Sequence, residues 1–155
     1  MPGTTLNSVQ TGKFRQRHAE TRVQYLRLVL RFGGCVLAAA FLAMLLPVDW
    51  MAGTHEWLGL GEFPRRPLVD YLARSVAALY GFHGILLFIV AGDPQRYEPI
   101  VRYLVFMNVT LGAMLVAVDL HAGLPMLWTL LEGPPLVVTG VLIEFLSRGL
   151  RDKRS

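Results

Sequence analysis

Four long apolar stretches, centred near residues 38, 80, 109 and 136, constrain this chain more than any other feature. Each is about 20 residues long, and a helix of that length, rising about 1.5 Å per residue, matches a hydrocarbon layer of roughly 30 Å. In lipid every backbone N–H and C=O needs a partner within the protein, so these stretches are expected to be helices. The predicted fold class is all-α, an integral membrane four-helix bundle.

The sequence indicates one domain with basic ends. Residues 1–27 form a basic N-terminal segment, and residues 148–155 form a basic tail. Between them, residues 28–147 hold the predicted spans, at about 28–48, 68–91, 100–120 and 124–147. No small-residue cleavage pattern follows the first apolar stretch before Pro47, so that stretch is expected to stay in the protein as a span.

Lysine and arginine are distributed unequally about the spans. Twelve lie on one side, in the N-terminal segment through Arg31, in the connection between spans two and three through Arg102, and in the tail, whereas Arg65, Arg66 and Arg74 lie on the other side. Because positive charge collects on the cytoplasmic side, both termini are predicted to be cytoplasmic (N-in, C-in) in a bacterial inner membrane. The net charge of +4 lies beside apolar spans, which argues against nucleic acid as a partner. The predicted partners are the lipid bilayer and a homo-oligomer or larger membrane complex.

Ionisable residues inside apolar spans are costly, so they are expected to face the interior of the bundle. Arg74 in span two and Glu132 in span four lie at similar depths, and Asp70 and Asp119 lie near the same outer boundary. We expect a polar cluster of these four residues in the outer third of the bundle, with Arg74 paired to Glu132 or to Asp70. The alternatives are solvation of Asp70 and Asp119 at the membrane surface and a purely structural role for the other two.

The run Glu132-Gly133-Pro134-Pro135 is the most specific local signal. Two consecutive prolines remove two backbone donors, which predicts a kink or break in span four at that point. A break beside a carboxylate is a recurring arrangement of ion and substrate sites in membrane proteins. The alternatives are a plain proline kink and a span that begins only at Pro134.

Two further polar residues, His83 and Asn108, lie at similar depths within spans two and three. His83 could ligate haem iron, bind a quinone or relay a proton, and the alternative is a satisfied interhelical hydrogen bond. The single cysteine, Cys35, excludes an internal disulfide and is expected to be packed among apolar residues. In the long outer connection, Trp50 and Trp57 are expected at headgroup level, and residues 55–60 are expected to form a short interfacial helix.

Several short motifs resemble a group of small bacterial four-span membrane proteins, loosely similar to the DoxX-like class. The matching portion runs from Trp50 to Arg148, and its motifs are Trp57-Leu58-Gly59-Leu60-Gly61, Tyr71-Leu72-Ala73-Arg74-Ser75, Arg96-Tyr97 and Glu132-Gly133-Pro134. The resemblance implies a four-helix membrane bundle and no established reaction. The link of the DoxX-like class to quinol oxidation or thiosulfate metabolism is an analogy at the level of the fold.

The leading functional prediction is an interaction or accessory role in the membrane, with no specific activity assigned. One alternative is a unit that binds or transports a small solute, a lipid or a proton through the outer polar cluster. The other is a quinone-linked membrane oxidoreductase subunit that uses His83 or Arg74. The sequence has no nucleophile pair, metal-ligand cluster or nucleotide-binding loop. An enzyme is therefore the less expected class, and no catalytic residue, metal or cofactor is predicted.

Overall fold

The computed structural model describes the backbone from residue 3 to residue 152 and the side chains from residue 16 to residue 150. The elements in order are α1 (Gly3–Ala38), α2 (Ala40–Leu45), α3 (Val48–Trp57), α4 (Pro67–Gly92), α5 (Glu98–Ala122) and α6 (Met126–Asp152). Four segments are long and apolar enough to cross a membrane: Gln16–Leu45, Pro67–Gly92, Glu98–Ala122 and Met126–Leu150. The prediction of an all-helical chain with four span-length helices is confirmed.

The helices pack in the order α4, α1, α6, α5, with α2 lying against α4. We call the end of the bundle that holds the α4–α5 connection the terminal end, and the end that holds residues 46–66 the loop end. The buried core lies toward the terminal end, where all four long helices contribute apolar side chains: Val23, Leu26, Leu30, Leu87, Val90, Ala91, Val101, Leu104, Ile143, Leu146 and Leu150. Cys35 is exposed rather than packed, so that prediction is wrong.

Two glycine contacts set the closest approaches between helices. A Cβ added to Gly84 of α4 would lie 2.5 Å from the backbone nitrogen of Ala38 in α1. A Cβ added to Gly112 of α5 would lie 2.6 Å from the carbonyl oxygen of Gly133 in α6. Small residues allow such approaches between apolar helices, where dispersion contacts rather than water exclusion stabilise association. The structure therefore contains two tightly packed antiparallel pairs, α1/α2 with α4 and α5 with α6.

The interruption that we predicted for span four is not found there. Helix α6 begins at Met126 and continues through Pro134 and Pro135, so both the break and the late start at Pro134 are wrong. The close contact of Gly133 with α5 holds this part of α6 in place although two backbone donors are missing. A local irregularity lies instead in the first span, at Ala39, where Leu42 donates to the Ala39 carbonyl three residues back at 2.9 Å.

The connection at the loop end is folded. Helix α3 spans Val48–Trp57, so it begins and ends earlier than the short helix that we predicted over residues 55–60. Pro47 immediately precedes it, and Gly59, with a φ of 77°, allows the chain to turn away after it. An ion pair between Arg65 Nη1 and Asp49 Oδ1, at 2.8 Å, links the two ends of the connection.

Candidate functional site

Arg74 lies in the second turn of α4 and contacts the end of the first span. Its Nε donates to Asp70 Oδ1 at 2.9 Å, one helical turn earlier in α4. Its Nη2 donates to the carbonyl oxygen of Leu46 at 3.3 Å, and its Nη1 donates to the carbonyl oxygen of Met44. Of the two partners predicted for Arg74, the structure shows Asp70. Among the described residues Arg74 forms no ion pair with Glu132.

The backbone contacts of Arg74 have a clear physical reason. Helix α2 ends at Leu45, and the last carbonyl groups of a helix have no intrahelical donor and carry partial negative charge. The guanidinium group supplies both donors and positive charge at that point. Asp70 offsets the charge of Arg74, so the Asp70–Arg74 pair is neutral overall. This arrangement joins the end of α2 to the start of α4.

A groove opens beside the Asp70–Arg74 pair, between the end of α2 and the first turns of α4. Its volume is about 420 Å³. Both charged side chains reach its surface, since Asp70 is 36% exposed and Arg74 is 30% exposed. The lining residues are Met44, Pro67, Asp70, Tyr71, Arg74, Ser75 and Ala78.

A second polar group lies at the loop end of the α5–α6 pair. Asp119 is only 2% exposed, and its Oδ2 has no hydrogen-bond partner among the described residues. Thr129 of α6 is 4% exposed, and its hydroxyl likewise has no partner there. A Cβ added to Gly133 of α6 would contact Val116 of α5, which shows the register of the two antiparallel helices. One turn closer to the loop end, Thr129 of α6 therefore lies opposite Asp119 of α5. Two unsatisfied oxygens thus occupy the same level of one helix interface.

Glu132 of α6 faces this group and completes what we call the carboxylate pair, Asp119 with Glu132. The charges of these two residues interact across the helix interface. The indole of Trp128, one turn earlier in α6, and the phenol of Tyr80 in α4 are the other polar neighbours of the Glu132 carboxylate. Within residues 16–150, no lysine or arginine forms an ion pair with either member of the carboxylate pair.

The predicted single cluster is therefore divided between the two helix pairs. Asp70 and Arg74 belong to the α2–α4 junction, whereas Asp119 and Glu132 belong to α5–α6. Thr129 was not predicted from the sequence, because its role depends on the register of α6 against α5. The only sequence feature that could have indicated it is its position one helical turn before Gly133, on the same face of α6.

The two deeper polar residues are also separate from each other. Asn108 is 7% exposed on α5, and its Nδ2 donates to the Leu104 carbonyl at 2.7 Å, so its hydrogen bond is made within its own helix. His83 of α4 is partly buried, and its imidazole has no hydrogen-bond partner among the described residues. The interhelical hydrogen bond considered for His83 is therefore absent from the described part of the chain.

The described residues contain no group of three or more histidine, cysteine, aspartate or glutamate side chains placed to hold a metal ion. The carboxylate pair with Thr129 is instead an oxygen-only group of two acids and one hydroxyl. Such a group can share a proton or contact a small hard cation. Comparison of the chain with protein-family models, curated proteins and solved structures finds no match, so the resemblance to the DoxX-like class stays a prediction.

Proposed function

We propose that this chain is a multi-pass protein of the bacterial inner membrane, with both termini in the cytoplasm, that binds one small positive charge in its outer half. Support for the membrane comes from the four span-length apolar helices. Support for the orientation comes from the sequence, in which twelve lysine and arginine residues flank one side of the predicted spans, against three on the other side. In this orientation the carboxylate pair lies toward the outer surface.

One observation carries the binding proposal: Asp119 is buried, its Oδ2 has no partner among the described residues, and Glu132 across the helix interface bears a like charge. Two bare carboxylates within a bundle surrounded by hydrocarbon repel each other and lose hydration. Natural structures keep buried charges paired or coordinated, because an unpaired one costs several kcal/mol. A proton or a sodium ion held between Asp119 and Glu132 removes this cost.

The donor atoms of the proposed site suit a proton or a hard cation. Asp119 Oδ2, the Glu132 carboxylate and the Thr129 hydroxyl are all oxygen donors. Glu132 is partly exposed, whereas Asp119 is buried. We infer that the partly exposed Glu132 exchanges the positive charge with the surroundings, while the buried Asp119 retains it.

The experiment is thermal unfolding of the protein in lipid nanodiscs. Sodium is exchanged for N-methylglucamine at constant pH, and in a second series pH is varied without sodium. A bound cation at about 100 times its dissociation constant stabilises by about 2.7 kcal/mol. Dependence on sodium identifies sodium, and dependence on pH alone identifies the proton. Glu132→Gln should abolish whichever dependence the wild type shows.

The matched control for this experiment is Glu56→Gln, a neutralisation on the exposed surface of α3. It should leave the dependence of the wild type unchanged. A wild-type protein whose stability responds to neither sodium nor pH contradicts the binding proposal. So does a dependence that persists in Glu132→Gln, because the charge would then be held elsewhere.

An accessory role in a larger membrane complex is the second candidate, and the arrangement of helices favours it. Helices α4 and α5 are neighbours in sequence, yet no extensive contact joins them in the described part of the chain. That flank is open to a helix of another protein. Site-directed photocrosslinking from Phe106, an exposed α5 side chain, would capture such a partner, and adducts with lipid alone would contradict it. The quinone-linked alternative stays a prediction that an absorption spectrum of the purified protein tests.

A further inference from the structure

We propose that the groove beside Asp70 and Arg74 binds a zwitterionic phospholipid whose headgroup carries a primary ammonium, such as phosphatidylethanolamine. The inference rests on the membrane location proposed above and is independent of the carboxylate pair. The groove lies between the end of α2 and the first turns of α4, and its volume of about 420 Å³ is in the range of small-molecule sites. Asp70 and Arg74 lie roughly 5 and 11 Å from the start of α4, a range that covers the headgroup layer and the outer edge of the hydrocarbon.

The polar atoms in the groove match a zwitterion. Arg74 uses one N–H of each terminal nitrogen for the carbonyls of Met44 and Leu46, which leaves the second N–H of each nitrogen for a ligand. Asp70 uses Oδ1 for Arg74, which leaves Oδ2 as an acceptor. A phosphate group can thus accept from Arg74 while an ammonium group donates to Asp70. The pair is neutral overall, as is the ligand.

The rest of the lining suits a lipid. Tyr71 and Ser75 offer hydroxyl groups at the rim, and Met44 and Ala78 continue the groove with apolar surface deeper along α4. An acyl chain can follow that surface while the headgroup stays beside the charges. An anionic phospholipid without an ammonium group leaves Asp70 facing a phosphate, which is a like-charge contact.

Two further cations precede α4. Arg65 is already paired with Asp49, so it does not add net positive charge that would attract an anionic lipid. Arg66 is exposed and outside the groove lining, and its charge is the same in the wild type and in a variant of Asp70. The selectivity of the groove for a lipid headgroup therefore depends on Asp70. With the carboxylate the groove holds one negative and one positive charge, and without it the groove holds only the positive charge of Arg74. This predicts that removing one negative charge changes which headgroup is retained.

The experiment is native mass spectrometry of the protein from nanodiscs that contain equal amounts of phosphatidylethanolamine and phosphatidylglycerol with identical acyl chains. The wild type should retain phosphatidylethanolamine preferentially. Asp70→Asn keeps an acceptor for Arg74 and should shift the retained ratio by about tenfold toward phosphatidylglycerol, the size expected for one charge-assisted hydrogen bond. Asp49→Asn, a neutralisation outside the groove, should leave the ratio unchanged.

Equal retention of both lipids by the wild type, or the same ratio in Asp70→Asn, would overturn the assignment of this groove. Ser75→Phe provides a second variant that fills the groove and leaves the Asp70–Arg74 pair intact. It should abolish the preference, and an unaltered preference also counts against the site. Failure of the chain to enter nanodiscs would instead overturn the membrane location and this inference with it.

Discussion

The Nη2 atom of Arg74 lies 3.3 Å from the carbonyl oxygen of Leu46, so a side chain of the second span satisfies the backbone at the end of the first. This contact joins residues 28 positions apart in the chain. Charged residues at this depth are costly unless they are paired. Arg74 is paired with Asp70 and with the end of the first span, and its remaining donors are those proposed to bind a phosphate.

Arg74→Met should destabilise the protein by about 2–4 kcal/mol, because it leaves Asp70 unpaired and the carbonyls of α2 without donors. The free energy of unfolding, measured by titration with denaturing detergent, tests this. Arg65→Met removes an exposed ion pair and should cost less than about 1 kcal/mol. Equal losses in both variants would show that the contacts of Arg74 with α2 contribute nothing.

Gly84→Ala should weaken the packing of α1 on α4. The added methyl would lie 2.5 Å from the Ala38 nitrogen, and backbone cannot move aside as a flexible side chain can. We expect a loss of about 1–3 kcal/mol, the cost of overpacking a close contact. Gly92→Ala, about two turns later at the C-terminal end of the same helix, meets nothing within 4 Å and is the matched control. A neutral Gly84→Ala would contradict the close approach.

Thr129→Val removes a buried hydroxyl that has no partner in the described structure and keeps the shape of the side chain. Without a bound cation this change should stabilise the protein by about 1 kcal/mol, since an unsatisfied polar group is lost. The same change should abolish the stabilisation by sodium or protons. Thr110→Val, on an exposed part of α5, should alter neither quantity. Thermal unfolding in nanodiscs with and without the cation measures both effects.

Asp119→Asn and Glu132→Gln should not be additive, because the charges of the two residues interact and they are proposed to hold one cation together. The unfolding free energy of the double variant should differ from the sum of the single effects by about 0.5–3 kcal/mol. A double-mutant cycle in nanodiscs measures this coupling. Strict additivity of the two effects would show that the two carboxylates do not hold one cation together.

The proposed orientation predicts opposite labelling of two cysteines in a Cys35→Ala background. Gly53 in α3 and Gly92 at the end of α4 are both exposed with open space around them. In intact spheroplasts a membrane-impermeant maleimide should label Gly53→Cys and not Gly92→Cys. Lysis should make both reactive. Labelling of Gly92→Cys alone before lysis would show that the termini lie outside.

The positions of the long helices and one helix-packing face could be predicted from the sequence alone. Apolar runs of span length predict helices because hydrocarbon leaves no other way to satisfy the backbone. The small residues Ala77, Gly81 and Gly84 recur at helical spacing in α4, a pattern typical of close helix contacts, and all three are buried in the structure. These features depend on local composition and on helical periodicity, which the sequence displays directly.

The partners of the polar residues could not be obtained in the same way. Arg74 contacts carbonyl groups, and a backbone carbonyl has no signature in the sequence. The position of Thr129 opposite Asp119 depends on the register of α6 against α5. That register is set by the contact of Gly133 with Gly112. The interruption predicted at Pro134 did not form because that same contact holds α6. Tertiary packing decided each of these points.

The position of the apolar core has a mechanical consequence. The shared core lies at the terminal end, and the two close backbone contacts, Gly84 with Ala38 and Gly112 with Gly133, lie inside each helix pair rather than between the pairs. Toward the loop end the two pairs therefore share fewer buried apolar contacts than they do near the termini. Glu132 of α6 and Tyr80 of α4 lie on the two sides of this less tightly packed part of the bundle.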